Sequence, residues 1–460
     1  MRKTPPGTTT LEQLAQLITS ISSKDISTSA KNAARLAVID VLGVAAAGTK
    51  ESAPLATSTW AQATFSKGHA TIWFAGQKGN TLAATIANSA AACAMDGDDT
   101  HWHSWMHSGS AIVPAAFAAA EEANATWDEV LEAIVIGYEV TCRIAQSVDW
   151  PVMKQIATGH WCGFGAAAAV GRLRGLSAYG LSQALGVVVG LRPYVYSPDD
   201  ELNLNGIKEG ISWGTFAGIS SLELSQLGLT GPVHGLDHEL FDRNIIVRPL
   251  DGRWAIEEVS IKPYASCAWP HASVEALVSI MSDHSLTARD IDSITVTTFP
   301  QAVTYINNEP DPATLEGAQY NIPFNIAVAA FDGEAGLLPL QRSTLHRPEL
   351  VELATRVELI GDVEYEKELP FKHPVTVKVS SSRGTFEKFL PSETNPHNLS
   401  MVEKKFRAVS SSVLSRSVQD QIIELVMKSS DGFSPLCDLL FSRLGRHNDD
   451  AATIESAASR

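Results

Sequence analysis

Apolar residues recur every third or fourth position along most of this chain, the spacing of helices with one buried face. Leu11, Leu14, Ile18 and Ile21 predict a first helix, with Thr10 and Gln13 as its capping box. A second runs from Lys31 to Ala47, so apolar in its latter half that only Asp40 breaks it, and an acid there reads as a capping or paired core group. His69 to Phe74 suits a short strand and Gln77 to Asn80 a turn, and Thr81 opens a helix ending near Met95. Further helices are expected from Ser110, with Pro114 in an early turn, and from Thr126, whose partner Glu129 completes a capping box. Another spans Ser177 to about Val189, and Lys208 is expected to open the next.

Past about Arg248 to Val259 the period changes. Ile294 to Thr297 and Val375 to Val379 alternate as strands do, and Ser381 to Gly384 turns the latter into a hairpin with Thr385 to Phe389. Helices at about His271 to Ser282, Pro323 to Phe331 and Glu349 to Arg356 are interleaved with them, and from Leu399 the spacing is helical again. The expected fold is mostly α with a smaller α+β domain. Residues 1–258 form a large helical domain, 259–395 an α+β lid, and 396–460 helices that rejoin the first part.

Charge and cysteines narrow the function. A formal charge of -16 without a clustered Lys/Arg run excludes nucleic acid as the expected partner. The five cysteines are scattered and never form a CxxC pair, which disfavours disulfides and thiolate metal sites and fits a reducing cytoplasm. No segment offers about 18 uninterrupted apolar residues, and the first ten lack an apolar stretch, so neither membrane span nor signal peptide is expected.

The chemistry concentrates in Ala94 to Glu122, AMDGDDTHWHSWMHSGSAIVPAAFAAAEE, where Asp96, Asp98, Asp99, His101, His103 and His107 lie between two alanine-rich helices. His103 and His107 have the i, i+4 spacing of metal ligands. Gly97 and Gly109 argue for a turn instead, the zincin glutamate is absent and no cysteine completes a set. Three other places offer ionisable groups. His160 stands at the mouth of a Gly/Ala helix, where backbone N–H groups favour anions. Lys208 and the loop residue Arg192 supply cations, and Lys262, Tyr264 and His271 share one short loop where the two domains would meet. With no GxSxG elbow and no GxxxxGK loop, acid-base chemistry on an anionic small molecule remains.

The combination M-D-x-D-D-T-H, then H-S-G-S-x-x-x-P-A-x-x-A-x-x-E, then Gly-His before a Gly/Ala helix, then I-K-x-Y-x-x-C-x-x-x-H, resembles the MmgE/PrpD family over nearly the whole chain. That family includes 2-methylcitrate dehydratase, cis-aconitate decarboxylase and iminodisuccinate epimerase. The resemblance implies a helical domain, an α+β lid, a cleft between them, a homodimer, a di- or tricarboxylate substrate, and no metal or organic cofactor. It places the pocket on Asp96, Thr100, His107, His160, Lys208 and Lys262, with Tyr264 and His271 beside the last. His107, His160, Lys262 and Tyr264 are expected to carry protons, and Asp96, Thr100, Arg192, Lys208 and His271 to hold substrate. His101 and His103 are expected outside the pocket.

Three departures bear on the reaction. The Gly-aromatic-His order becomes Gly159-His160-Trp161, and Lys208 is followed by Glu209-Gly210-Ile211-Ser212 rather than a His and paired alanines. The family's S-x-x-Y becomes Asn321-Ile322-Pro323-Phe324, which removes both hydroxyls. Elimination of water needs an acid for the leaving group, whereas epimerisation needs only two groups on opposite faces of one carbon. The expectation is therefore a cofactor-independent epimerase of an iminodisuccinate-like amino polycarboxylate. Dehydration of a 2-methylcitrate-like substrate comes second, decarboxylation of cis-aconitate third, and a binding protein without catalysis stands as the other class.

Overall fold

A computed structural model describes residues 8–148, 157–194, 205–391, 398–428 and 433–442. The fold is mostly helical with a small α+β part. At its centre lies Thr28–Gly48, capped by the Ser27 side chain and buried on nearly every side from Leu36 onward. Thr81–Cys93, Gly109–Ala123, Trp127–Gln146, Cys162–Leu173, Ala178–Leu191 and Ile211–Gln226 pack around it in one apolar core. Among the described residues no single helix is long and apolar enough to cross a membrane.

Asp40, the one acid in the central helix, is paired 2.6 Å from Lys405 of the Leu399–Val409 helix. That helix lies along Thr28–Gly48, and its Val402 and Phe406 join the helical core, as do Ile422 and Leu436 further on. Burial outweighs the lysine's attraction and pushes the Asp40 carboxyl up to about 6.

The α+β part holds a second core around four strands, β3 (Ile291–Thr298), β4 (Val357–Gly361), β5 (Val375–Ser381) and β6 (Gly384–Leu390), ordered β4-β3-β5-β6. Strand β3 runs parallel to β4 and antiparallel to β5, and β5 turns back into β6 as the predicted hairpin. His271–Asp283 and Ile322–Asp332 bury their apolar faces in this core. Val44, Ala47 and Met95 of the helical part enter it too, so the two cores touch at the Asp96 turn.

Local readings shifted in three places. The first helix is capped by Thr9 with Glu12, one residue earlier than expected, because Thr10 is bound instead to Asp237. Gln77–Gly79 is strand β2, paired with β1 (Ala70–Ile72), rather than a turn. Lys208 does not open a helix. It begins a short turn in which Lys208, Glu209 and Gly210 all have positive φ (47°, 53° and 72°), and the helix starts at Ile211.

Candidate active site

The helix Thr81–Cys93 ends in a sharp turn at Asp96, which itself has a φ of 51°. Gly97 follows where a Cβ would lie 2.9 Å from Val44 and 3.3 Å from Ala265, so only glycine lets the turn press between the two parts. Two of the three acids fix this turn. Asp99 accepts from the Gly109 backbone N–H at 2.9 Å and from the Tyr138 hydroxyl at 2.6 Å, and Asp98 accepts from the Ser110 hydroxyl. The Lys405 ammonium donates to the Gly97 carbonyl. The third acid, Asp96, is left facing the junction.

Two buried lysines converge on it. Lys262 Nζ donates to the Asp96 carbonyl at 2.9 Å and lies 3.4 Å from Asp96 Oδ1 and 3.8 Å from Asp98 Oδ1. Lys208 Nζ donates to Gln319 Oε1 at 2.6 Å and lies 3.8 Å from the same Asp96 oxygen. Burial works against a charged Asp96, but Lys208, Lys262 and His107 together hold its carboxyl below the usual range. Burial likewise opposes a charged Lys262, and Asp96 and Asp98 outweigh it, raising the ammonium above its ordinary value. The group is thus charged although almost dry. Asp96 Oδ2 has no hydrogen-bond partner among the described residues.

Tyr320 completes the group from the α+β side. Its hydroxyl donates to Asp96 Oδ1 at 3.1 Å and lies 3.4 Å from Glu209 Oε1, while Lys208 sits 4.6 Å over its ring. Burial, with Asp96 and Glu209 nearby, keeps the phenol protonated well above its ordinary range. The hydroxyl missing at Phe324, which is fully buried in the α+β core, is supplied four residues earlier.

His107 forms the more open wall. Its Nδ1–H donates to the Asp99 carbonyl at 2.6 Å, with the Thr100 hydroxyl 3.2 Å away, which leaves Nε2 facing Glu209 Oε1 at 3.6 Å. Thr158 ties the two together, its hydroxyl accepting from the His107 backbone N–H at 3.1 Å and its own N–H donating to Glu209 Oε2 at 3.0 Å. Glu209 can stand there because Cys162–Leu173 and Ile211–Gln226 approach through glycines. A Cβ on Gly214 would come within 2.1 Å of the Gly159 carbonyl, and one on Gly218 within 2.2 Å of that of Gly163. The side chains of His107 and Glu209 are 12% and 15% exposed against 1% for Lys262, which makes theirs the more open side of the group.

The structure therefore joins Asp96, Thr100, His107, Lys208 and Lys262 in one group. The remaining predicted residues stand in two other places. His160 accepts at Nε2 from Arg192 Nε at 3.1 Å and donates from Nδ1 to the Pro193 carbonyl at 3.1 Å. Burial and then the adjacent guanidinium push this imidazole down to about 3, so it stays neutral. Arg192 lies 5.3 Å over Trp161 and is lowered to about 10 by burial. Tyr264 donates its hydroxyl to Glu334 and meets His271 edge-on at 5.1 Å, on the α+β side. His271 is bound to Ser266 at 3.2 Å and is held at about 3, by burial first and Lys262 second.

Three residues of the group were not read from the sequence: Tyr320, Gln319 and Glu209. Gln319 ends a short helical turn and Tyr320 caps it, directly ahead of Asn321–Phe324, but their partners on the Asp96 turn lie 225 and 224 positions away. Glu209 did leave a signal, because an acid directly after a pocket lysine is where the family resemblance fails.

A largely helical scaffold abutting a small α+β unit, with a dry lysine-carboxylate-phenol group at the junction, defines the class of this protein. Within that class the chain belongs to the MmgE/PrpD family of enzymes: the MmgE/PrpD N-terminal domain matches residues 12–240 and the C-terminal domain residues 264–431. Similar proteins include a cis-aconitate decarboxylase of Aspergillus terreus (strain NIH 2624 / FGSC A1156), 27% identical over 406 residues, covering 79% of this chain and 82% of the relative. A cis-aconitate decarboxylase of Homo sapiens is 25% identical over 430 residues, covering 86% of both.

Proposed function

We propose that this chain is a lyase that decarboxylates a cis-aconitate-like tricarboxylate, with Lys208 and Lys262 holding substrate carboxylates and His107 and Tyr320 as proton donors. The observation that carries this reading is the Tyr320 hydroxyl, 3.1 Å from Asp96 Oδ1 and beside both lysines. The preference for an epimerase rested on a missing hydroxyl donor and a shifted histidine, and Tyr320 answers the first of these. In the proposed step the bond from carbon to the departing carboxylate breaks and carbon dioxide leaves. The electron pair stays on the substrate, spread over the adjoining double bond and carboxylate, where the ammonium groups stabilise it. His107 Nε2 or the Tyr320 hydroxyl then delivers one proton to carbon, giving the unsaturated dicarboxylate. Asp96 helps to keep Lys262 charged and offers Oδ2 to a substrate donor.

One observation favours a second reading. Glu209 adds a carboxylate 3.6 Å from His107 Nε2, which complements an amine better than a third carboxylate and so suits epimerisation of an iminodisuccinate-like substrate. Incubation of the purified protein in deuterated water with cis-aconitate, 2-methylcitrate and iminodisuccinate separates these. Carbon dioxide release with one deuteron on carbon supports the decarboxylase. An alkene formed without carbon dioxide, or exchange with loss of configuration, overturns it in favour of a dehydratase or an epimerase, and no turnover of any substrate overturns catalysis altogether.

A further inference from the structure

Thr100 and Ser260 exchange both of their backbone hydrogen bonds at 2.8 Å, joining the loop after the Asp96 turn to the connector that leads to Lys262. Beside this junction, on residues not used by the group around Asp96, His101 Nε2 lies 3.7 Å and His103 Nδ1 3.4 Å from one oxygen of Glu258. One nitrogen from each ring and a carboxylate oxygen of Glu258 all lie within 4.8 Å of one another.

His101 shows which way this cluster points. It is 1% exposed, yet Nε2 has no hydrogen-bond partner among the described residues. The Ser104 hydroxyl lies 3.4 Å from the His101 carbonyl, to which it donates, so its oxygen accepts from His101 Nδ1–H at 2.8 Å. Nδ1 thus serves Ser104, and Nε2, buried in a dry place, faces the Glu258 carboxylate at 3.7 Å without a hydrogen bond to it, a costly arrangement for a polar atom. A hydrogen bond from the far nitrogen to an outer partner is also what orients a metal-ligating histidine. His103 is steadied by Phe371, edge-on at 4.8 Å, and its Nδ1 faces the same carboxylate.

We propose that His101 Nε2, His103 Nδ1 and Glu258 bind a divalent first-row transition ion of the zinc type. Ligands about 2.0–2.2 Å from a tetrahedral ion stand about 3.3–3.6 Å from one another. The two histidine-carboxylate separations, 3.4 and 3.7 Å, are close to that, and the two ring nitrogens lie within 4.8 Å of each other. Two imidazoles with one carboxylate select zinc or cobalt over calcium or magnesium. The half-open His103 and Glu258 leave the remaining position to solvent. Bound there, the ion is a clip rather than a reacting centre. It fastens the loop that carries Thr100, a partner of His107, to the connector four residues ahead of Lys262.

The test uses the full-length protein stripped with a chelator and titrated with Co2+, then Zn2+. One equivalent of Co2+ is expected to give the visible bands of a four- or five-coordinate ion, displaced by Zn2+. His103→Ala and Glu258→Gln, both half-open and tolerant of change, are each expected to weaken binding by about tenfold or more, on the scale of losing a supporting partner or greater. His107→Gln is expected to leave the spectrum and affinity unchanged. Failure to bind one equivalent, or binding indifferent to both variants, reduces the cluster to imidazole-carboxylate ion pairs and overturns the proposal. Loss of binding in His107→Gln overturns it as well, by moving the ion to the group around Asp96.

Discussion

The Tyr320 hydroxyl donates to Asp96 Oδ1 across 224 positions of chain, from the α+β part to the turn that closes the helical one. Each side of this bond is incomplete alone. Asp96 gathers two lysines, and Tyr320 brings the proton donor. Tyr320→Phe keeps the ring under Lys208 and removes only the hydroxyl. Turnover is expected to fall by about 10²-fold or more, the usual weight of a positioned acid, with a stability loss of about 1 kcal/mol. Steady-state rates and a urea titration of the same preparation check both, and unchanged turnover removes Tyr320 from the chemistry.

Asp96 is the counter-charge that two buried ammonium groups share. Asp96→Asn is expected to cost about 3–5 kcal/mol, the penalty for stranding a buried charge. Asp96→Asn combined with Lys262→Met is expected to recover much of that loss while remaining inactive. Chemical denaturation of the four proteins of the cycle measures the coupling, and additive losses contradict it.

The Asp40–Lys405 pair has a pH signature. The folded-state carboxyl titrates at about 6, above its ordinary value of 3.8, so the folded protein binds the extra proton between those limits. Stability from this group is therefore full below about pH 4 and falls as pH rises, by about 3 kcal/mol once pH 6 is passed. The wild type should lose about 2 kcal/mol of this relative to Asp40→Asn between pH 4 and pH 6.5, as read from paired urea midpoints. A difference that stays flat with pH contradicts the assignment.

Gly214 is where the helix that follows Glu209 meets the short turn that carries Thr158. Gly214→Ala places a methyl within 2.1 Å of the Gly159 carbonyl and is expected to cost about 1–3 kcal/mol. Because the displaced backbone carries Thr158, kcat is expected to fall more than KM rises, and Ser221→Ala on the same helix serves as a comparison for packing loss alone.

Where periodicity dictates structure, the sequence was readable. The helix from Thr126 and the hairpin of β5 and β6 lie where side-chain spacing put them, and His107 and Lys262, which the family resemblance singled out, stand in the group around Asp96. What escaped depends on chain closure. Asp40 showed an acid in an apolar helix, but its partner Lys405 lies 365 positions away, a distance no local pattern spans. Lys262 and Tyr264 are two residues apart in one loop and would share a face of extended backbone, yet the chain bends between them and sends one to Asp96 and the other to Glu334. His160 was expected to meet an anion, and the structure gives it a guanidinium. The β3–β4 pair is parallel, and its second strand, Val357–Gly361, alternates too weakly in polarity to announce itself.

The left-handed turn at Lys208 and Glu209 sets conformational comfort against chemistry. Two side-chain-bearing residues in succession hold a backbone shape that glycine adopts freely, at about 1–2 kcal/mol each. Glu209→Gly is thus expected to make the protein harder to unfold while depriving His107 of its facing carboxylate. A lineage sorted for heat resistance alone would drift toward glycine there, and keeping glutamate through such drift would mark the reaction, not the fold, as what selection guards.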